Sequence, residues 1–186
     1  MPGTAFDEDV IICAAPALMA GAAQVVPFSR RHLTNQYVAW LNDPDVVRFS
    51  ENRHRTHSLE DCTAYVHGFS SGPSLLWAIE TTDLGHVGNV TASVDPKNRN
   101  ADIGILIGDA RTKGRGLGKA VWSTVLDFLC TDDGLDKVTG GCLATNIAMV
   151  RIMQQSGMVP DGKRSGHYLW EGTRIDLVYF ARFLRR

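Results

Sequence analysis

The pattern of hydrophobic and polar positions predicts short strands and helices in mixed order. A strand is predicted around Gln24–Phe28, followed by a helix from about Arg30 to Asn42 with Tyr37 and Trp40 on its apolar face. One further helical turn is predicted at Val46–Phe49. The amino-terminal part of the chain therefore predicts a strand that leads into helical structure.

A second helix and a strand meander are predicted next. Ser58 and Asp61 resemble a capping box, which predicts a helix from Leu59 to about Ser70. Three apolar runs separated by turn residues predict the strands Leu75–Thr82, His86–Val94 and Ala101–Ile107. The remaining pattern predicts the helix Gly116–Cys130, the strand Lys137–Leu143, the helix Asn146–Ser156, and the strands Val159–His167 and Arg174–Phe180.

This order of elements predicts an α/β fold with a sheet of mixed direction. A crossover through the Gly116–Cys130 helix would connect the third meander strand to Lys137–Leu143. At 186 residues, one domain is expected. We assign it to residues 24–186, preceded by an N-terminal segment at residues 1–23.

Composition excludes several classes of protein. The chain is 44% hydrophobic and 21% charged, as is typical of globular domains, and its net charge of −1 gives no bulk attraction for nucleic acid or an anionic membrane. The apolar stretch Val10–Ala23 follows acidic residues, contains Pro16 and is too short to span a bilayer. We therefore expect a cytoplasmic protein with no nucleic-acid or membrane partner.

The four cysteines show neither a C-x-x-C motif nor a paired histidine spacing. This arrangement predicts reduced, mostly buried thiols and no metal site.

A glycine-rich basic turn between a predicted strand and a predicted helix is the most informative stretch. Gly114, Gly116 and Gly118 alternate with Lys113, Arg115, Leu117 and Lys119. Glycines allow backbone N–H groups to approach a phosphate, and a helix start supplies unpaired donors. The turn lacks the hydroxyl of a P-loop and the spacing of a dinucleotide fingerprint. It suits a pyrophosphate held by backbone, although an ordinary connection is the alternative.

These residues carry a resemblance to a known family. Lys113–Gly118 fits the motif Q/R-x-x-G-x-G/A with Lys in first place, and an offset frame from Arg111 also fits. Asn146 and Gly157-Met158 match a second signature, an Asn followed by a helix that ends in Gly-aromatic. The chain resembles the Gcn5-related N-acetyltransferases (GNAT) over about residues 24–180. Tyr37–Val46 and His86–Asn89 resemble its branch of ribosomal-protein and nucleotide-amino-sugar acetyltransferases.

The resemblance implies a largely antiparallel twisted sheet with helices on both faces, and acetyl-CoA as co-substrate. It implies that the backbone of Ile105, Leu106 and Ile107 pairs with the pantetheine arm. The turn would hold the pyrophosphate through its backbone amides and its basic side chains, at Lys113, Gly114, Arg115, Gly116, Leu117, Gly118 and Lys119. Asn146 would hydrogen-bond the cofactor arm, cap a helix, or do both.

The resemblance leaves the proton-transfer groups open. Asp102 and Glu51 are the candidate bases, and His54 and His57 are rivals. Many family members carry a tyrosine acid where this chain has Met153, so Ser156, Tyr168 or water would donate the proton, or no acid is needed.

The expected function is acetyl-CoA-dependent N-acetylation of a primary amine on a small molecule such as a nucleotide-linked amino sugar. Acetylation of a protein amino terminus and a non-catalytic acyl-CoA-binding module are the alternatives. The expected partner is the small-molecule amine, and a homodimer is open beside a monomer.

Overall fold

The computed structural model describes residues 12–131 and 135–184. They form one sheet in the order β1-β2-β3-β4-β5-β6-β8-β7. The strands are β1 Leu18–Ala20, β2 Ala23–Pro27, β3 Leu75–Thr81, β4 Gly85–Asp95, β5 Asn100–Ile107, β6 Lys137–Leu143, β7 Val159–Trp170 and β8 Thr173–Phe183. The α-helices are α1 Asn35–Leu41, α2 Leu59–His67, α3 Leu117–Thr131 and α4 Ile147–Gln155. Short 3₁₀ turns occupy Arg30–His32, Glu51–His54 and Ala110–Thr112.

All neighbouring strands pair antiparallel except β5 and β6, which pair in parallel through the α3 crossover. The predicted mixed, largely antiparallel sheet is confirmed. The crossover is required because parallel neighbours cannot be joined by a hairpin.

The helices cover both faces of the sheet, as expected. On one face the Trp77 ring meets Phe128 of α3 edge-on, and α3 contacts α4 through a hydrogen bond of 2.8 Å between the hydroxyls of Ser123 and Ser156. On the other face Leu76 lines a cavity together with Tyr37 of α1 and with side chains of α2. Adjacent residues of a strand point to opposite faces of the sheet, so Leu76 and Trp77 contribute to the two different helical layers.

The structure differs from the sequence-based prediction at three places. The single helix expected from Arg30 to Asn42 is divided, because the side chain of Thr34 accepts a hydrogen bond from the Tyr37 amide and starts α1 afresh. The helical turn expected at Val46–Phe49 is wrong, since this segment forms irregular turns. Strand β1 was not predicted, and it falls within the segment at residues 1–23.

The capping box at the start of α2 is confirmed. Asp61 Oδ2 accepts from the Ser58 amide at 2.8 Å, and Ser58 Oγ accepts from the Asp61 amide at 3.1 Å. The four cysteines are free and buried, as the sequence indicated. Within residues 12–131 and 135–184, no helix combines the length and apolar character that crossing a bilayer requires.

An aromatic cluster joins α1 to the sheet around His86. Its ring lies about 5 Å, centroid to centroid, from the rings of His32 and Trp40, and Phe28 and Tyr37 complete the cluster. Burial, with a smaller contribution from the neighbouring His32, lowers the pKa of His86 to about 4, against the opposing effect of its hydrogen bond to Asn89. Desolvation also lowers the pKa of His32, against the opposing effect of Glu80.

We therefore expect the fold to lose stability in mild acid. An unfolded histidine binds a proton near pH 6.5, whereas folded His86 binds it only near pH 4. The contribution of His86 is fully present above pH 6.5 and is lost as the pH falls toward 4, by up to about 3 kcal/mol. Urea unfolding at pH 7.5 and 5.0 measures the loss. The variant His86→Gln should show a smaller loss, and equal losses would contradict this assignment.

Candidate functional site

Strands β5 and β6 separate halfway along their length. Their parallel pairing ends at Asp102↔Thr139, whereas β5 remains paired with β4 as far as Ile107 and β6 with β8 as far as Leu143. The edge of β5 that faces β6 is therefore open from Ile103 to Ile107. An open strand edge can bind an extended ligand arm through backbone hydrogen bonds. The three residues predicted for this role, Ile105, Leu106 and Ile107, lie on this edge.

The glycine-rich turn lies at the start of α3. Gly114 and Gly116 have φ of 79° and 73°, a left-handed conformation that favours glycine, and a Cβ at either position would meet nothing within 4 Å. The turn therefore presents its backbone to open space. Leu117 and Gly118 begin the helix, whose first amides have no intrahelical acceptor.

The basic side chains of the turn differ in their freedom. Lys113 and Lys119 are exposed and form no ion pair with any described residue. Arg115 Nη1 lies 2.7 Å from Asp83 Oδ2 in the β3–β4 turn. The ion pair occupies one nitrogen of the Arg115 guanidinium and leaves its other donors for a phosphate, whereas the two lysines carry no ion pair.

Two polar residues, Thr145 and Asn146, follow the carboxyl end of β6, beyond the part of this strand that pairs with β5. Asn146 Oδ1 accepts from the Met149 amide at 3.2 Å, so Asn146 caps α4 as anticipated, and its Nδ2 has no partner among the described residues. The buried Thr145 Oγ1 also has no partner. A buried hydroxyl without a hydrogen bond is costly, so both groups fit an amide-bearing arm of the kind found in pantetheine. The sequence did not single out Thr145.

A cavity of about 540 Å³, here called the main cavity, lies between β4–β5 and the α1–α2 region. It reaches the separated part of β5 at Gly104, Ile105 and Leu106. Its other walls are Tyr37, Leu41, Ser50, Asn52, Arg55, Thr56, His57, Asp61, Cys62, Ala64, Tyr65, Leu76, Asn89 and Thr91. Pockets of this size are typical for small-molecule ligands.

Asn89 provides one unpaired donor in the main cavity. Its side chain is only 5% exposed. His86 Nε2 lies 2.9 Å from Asn89 Oδ1 and 3.0 Å from the Gly88 carbonyl oxygen. Both are acceptors, so Nε2 carries the proton, and the Asn89 Nδ2 group is left buried without a partner. The sequence marked this asparagine only as the last residue of the His86–Asn89 resemblance and gave it no role in the site.

His57 provides a second unpaired group in the main cavity. Its backbone is held by Asn42, whose side chain accepts from the His57 amide and donates to the His57 carbonyl, both at 2.8 Å. His57 Nε2 is buried and has no hydrogen-bond partner. The structure thus holds the backbone of His57 in place and leaves one ring nitrogen without a partner.

The other residues considered for proton transfer lie outside the walls of the main cavity. Glu51 is 55% exposed on its side chain and pairs with Arg53 at 2.8 Å. Asp102 Oδ2 accepts from Thr139 Oγ1 at 2.6 Å, two residues before Gly104 on the same face of β5. Desolvation raises the pKa of Asp102, the hydrogen bond opposes this rise, and much of the side chain remains open to water.

The alternatives for the acid, Ser156 and Tyr168, do not line the main cavity, and neither does Met153, which stands where many family members carry a tyrosine. Met153 is fully buried in the core, Ser156 is hydrogen-bonded to Ser123, and Tyr168 lies on β7. His54 is exposed on its 3₁₀ turn. Among the described residues, no group of three His, Cys, Asp or Glu side chains could hold a metal ion.

Comparison with known proteins gives one family. A family model described as an acetyltransferase (GNAT) domain matches residues 24–159. No curated protein matches the chain.

Several solved structures share the fold. A GNAT-family acetyltransferase from Bacillus anthracis has a TM-score of 0.77 at 14% identity, covering 92% of this chain and all of the other. RimL, a ribosomal L7/L12 α-N-protein acetyltransferase solved with coenzyme A, has a TM-score of 0.79 at 14% identity, covering 91% and 98%. A spermidine N-acetyltransferase from Vibrio cholerae, solved with CoA and spermine, has a TM-score of 0.78 at 16% identity, covering 88% and 96%.

Proposed function

The chain belongs to the GNAT acetyltransferase family, and from this premise we propose that it transfers an acetyl group from acetyl-CoA to a primary amine of a small molecule. One observation carries the proposal: the main cavity reaches β5 at Gly104–Leu106, in the part of this strand that no longer pairs with β6. A donor arm laid along β5 and an acceptor in the cavity would therefore meet at this strand.

The donor side of the site fits coenzyme A. The backbone of Ile105–Ile107 would pair with the pantetheine arm, and Thr145 and Asn146 would add hydrogen bonds from β6. The amides of the turn Gly114–Gly118, with Lys113 and Lys119, would bind the pyrophosphate. The thioester would supply the activated acetyl group, and these residues would bind and orient the donor.

The acceptor side suits an amine that carries little additional positive charge. Asp61 is the one carboxylate in the described wall of the main cavity, and its Oδ2 is already held by the amide and hydroxyl of Ser58. A polyamine with several ammonium groups would find little compensation there. This favours a nucleotide-linked amino sugar or a similar small amine over a substrate such as spermidine.

We assign the proton acceptor to His57, because its Nε2 has no hydrogen-bond partner and the residue lines the same cavity as Gly104 and Leu106. It would take the proton of the ammonium group, so that the neutral nitrogen attacks the thioester carbonyl. Asn89 Nδ2 would donate to a polar oxygen in the cavity and fix the orientation of the reactants. The departing thiolate is a tolerable leaving group, so no strong acid is required.

Asp102 keeps a secondary role in this proposal. Its carboxylate is bound to Thr139 where β5 and β6 separate, two residues from Gly104. It would help to hold the two strands at their point of divergence. Glu51 would orient Arg53, to which it is paired.

Free thiol release tests the proposal. The protein is incubated with acetyl-CoA and either a nucleotide-linked amino sugar, spermidine or a peptide with a free amino terminus. The four buried cysteines keep the background of a thiol reagent low. We expect CoA to raise the unfolding temperature and the amino sugar to release thiol fastest. Release with the peptide alone would indicate a protein acetyltransferase.

Two outcomes would contradict the enzyme assignment. Stabilisation by CoA without thiol release for any amine would indicate a non-catalytic acyl-CoA-binding module. If CoA did not raise the unfolding temperature, acetyl-CoA would not be the donor.

A further inference from the structure

A second cavity of about 260 Å³ adjoins the main cavity. It lies between the segment that precedes α2 and the turn between β7 and β8, and its wall contains Arg48, Arg53 and Arg55. We call it the arginine cavity. The two cavities share Leu41 and Arg55, so one ligand can extend from one into the other.

Arg48 fixes one wall of the arginine cavity. Its Nη2 lies 3.2 Å from Glu171 Oε1, and its guanidinium carbon lies 5.0 Å from the centroid of the Trp170 ring. Trp170 Nε1 donates to the Arg48 carbonyl oxygen at 3.1 Å, and the Trp170 ring stacks on Phe49. These contacts fasten the loop to the β7–β8 turn, so the cavity has a preformed wall.

Arg53 brings an incompletely bonded cation into the same cavity. Its side chain is 15% exposed. Nη1 donates to the Ser50 carbonyl oxygen and pairs with Glu51, both at 2.8 Å, whereas Nη2 is buried without any partner. A buried charged donor without an acceptor is unfavourable. An anion in the cavity would supply the missing acceptor.

Arg55 is the freest of the three arginines. It is exposed, and its guanidinium has no hydrogen bond or ion pair with any residue in the described part of the chain. Because Arg55 lines both cavities, its side chain can reach a group at the boundary between them. Its planar donors match a phosphate or a carboxylate in a bidentate arrangement.

Charge also favours an anion. Three guanidinium groups line the cavity, and the carboxylates paired with them are those of Glu171 and Glu51. One positive charge therefore remains uncompensated, and unsatisfied donors remain on Arg53 and Arg55.

We propose that the acceptor carries an anionic group, a phosphate or a carboxylate, which binds in the arginine cavity while the amine lies in the main cavity beside β5. The position of the amine rests on the proposed function, whereas the anion site stands on the arginine cavity itself. The substrate class is then an amino compound with a negative charge held away from the amine. The positive charge of the arginine cavity would attract such a compound and repel a polyamine.

Calorimetric titration tests the anion site. Inorganic pyrophosphate and malonate are titrated separately into the protein at low salt, after CoA has been added to saturation so that the glycine-rich turn is filled. Arg55→Gln removes the free guanidinium, and Lys97→Gln removes one positive charge from the β4–β5 turn as the matched control. We expect Arg55→Gln to weaken binding of the preferred anion at least tenfold and Lys97→Gln to change it less than twofold.

The outcomes separate the two proposals. Stronger binding of pyrophosphate indicates a phosphate-bearing acceptor, and stronger binding of malonate indicates a carboxylate. Equal affinity in the unmodified protein and Arg55→Gln, or no heat with either anion, overturns the anion site. Failure of CoA to bind in the preceding titration counts against the proposed donor alone. The anion site is then still tested by the difference between Arg55→Gln and Lys97→Gln, since neither substitution alters the glycine-rich turn.

Discussion

Replacing His57 by glutamine is expected to lower kcat by about 10²–10⁴-fold, the range typical for loss of a positioned general base. Glutamine retains the size and hydrogen-bonding capacity of the side chain but cannot accept the ammonium proton. The fold should be unchanged, since the bonds from Asn42 go to the backbone of His57. Steady-state kinetics at saturating acetyl-CoA measure the effect, and KM for acetyl-CoA should stay within a factor of about two.

The pH profile distinguishes proton transfer from positioning. Without a base in the site, kcat/KM should rise with pH only as the free amine becomes neutral in solution. His54→Gln is the matched control, because it makes the same chemical change on an exposed residue of the same segment. A profile of unchanged shape in His57→Gln, or equal losses in both variants, would assign His57 a structural role. A large loss in Asp102→Asn alone would transfer the role to that carboxylate.

The secondary structure could be predicted where a periodic pattern had a clear start and stop. Lys137–Leu143 was predicted with the bounds that the structure has, and the Ser58–Asp61 capping box set the start of α2. The break after Arg30–His32 was missed because apolar spacing continues across it. Strand β1 was missed because a three-residue strand has too few positions to show alternation, and pairing with β2 determines it.

In the candidate site, too, local features could be predicted from the sequence and contacts between distant segments could not. The turn Gly114–Gly118 is a local feature, so its left-handed glycines could be anticipated from sequence. Which polar groups are left unpaired in a cavity depends on contacts between distant segments. His86 bonds to the side-chain oxygen of Asn89, whereas the buried Nδ2 of Asn89 and the buried Oγ1 of Thr145 have no partner. No periodicity in the chain carries that information.

The arginine cavity illustrates the same limit. In sequence, Arg48 falls in the predicted helical turn, and Arg53 and Arg55 follow it in a polar stretch. Trp170 and Glu171, more than one hundred residues later, line the same cavity. Long-range packing thus places the arginines of a basic segment in the wall of a cavity. In the function that we propose, the acceptor site would thus depend on an assembly of distant segments, whereas the donor site would depend on one local motif.

That local motif supports the second large expected effect, a loss of at least tenfold in CoA affinity on replacing Gly116 by alanine. Gly116 has φ of 73°, where an L-residue costs about 1–2 kcal/mol. Its Cβ would project into the open space in front of the turn amides, where a phosphate must approach. Calorimetric titration of CoA measures the change, and kcat at saturating acetyl-CoA should fall far less than kcat/KM.

Two glycine variants separate phosphate exclusion from backbone strain. Gly172→Ala, in the β7–β8 turn, places the same methyl group at a φ of 77°, also with nothing within 4 Å. It should lower the unfolding temperature about as much as Gly116→Ala and leave CoA affinity unchanged. Unchanged CoA affinity in a folded Gly116→Ala protein would show that the pyrophosphate binds elsewhere, because any phosphate on these amides would have to occupy the space that the new methyl group fills.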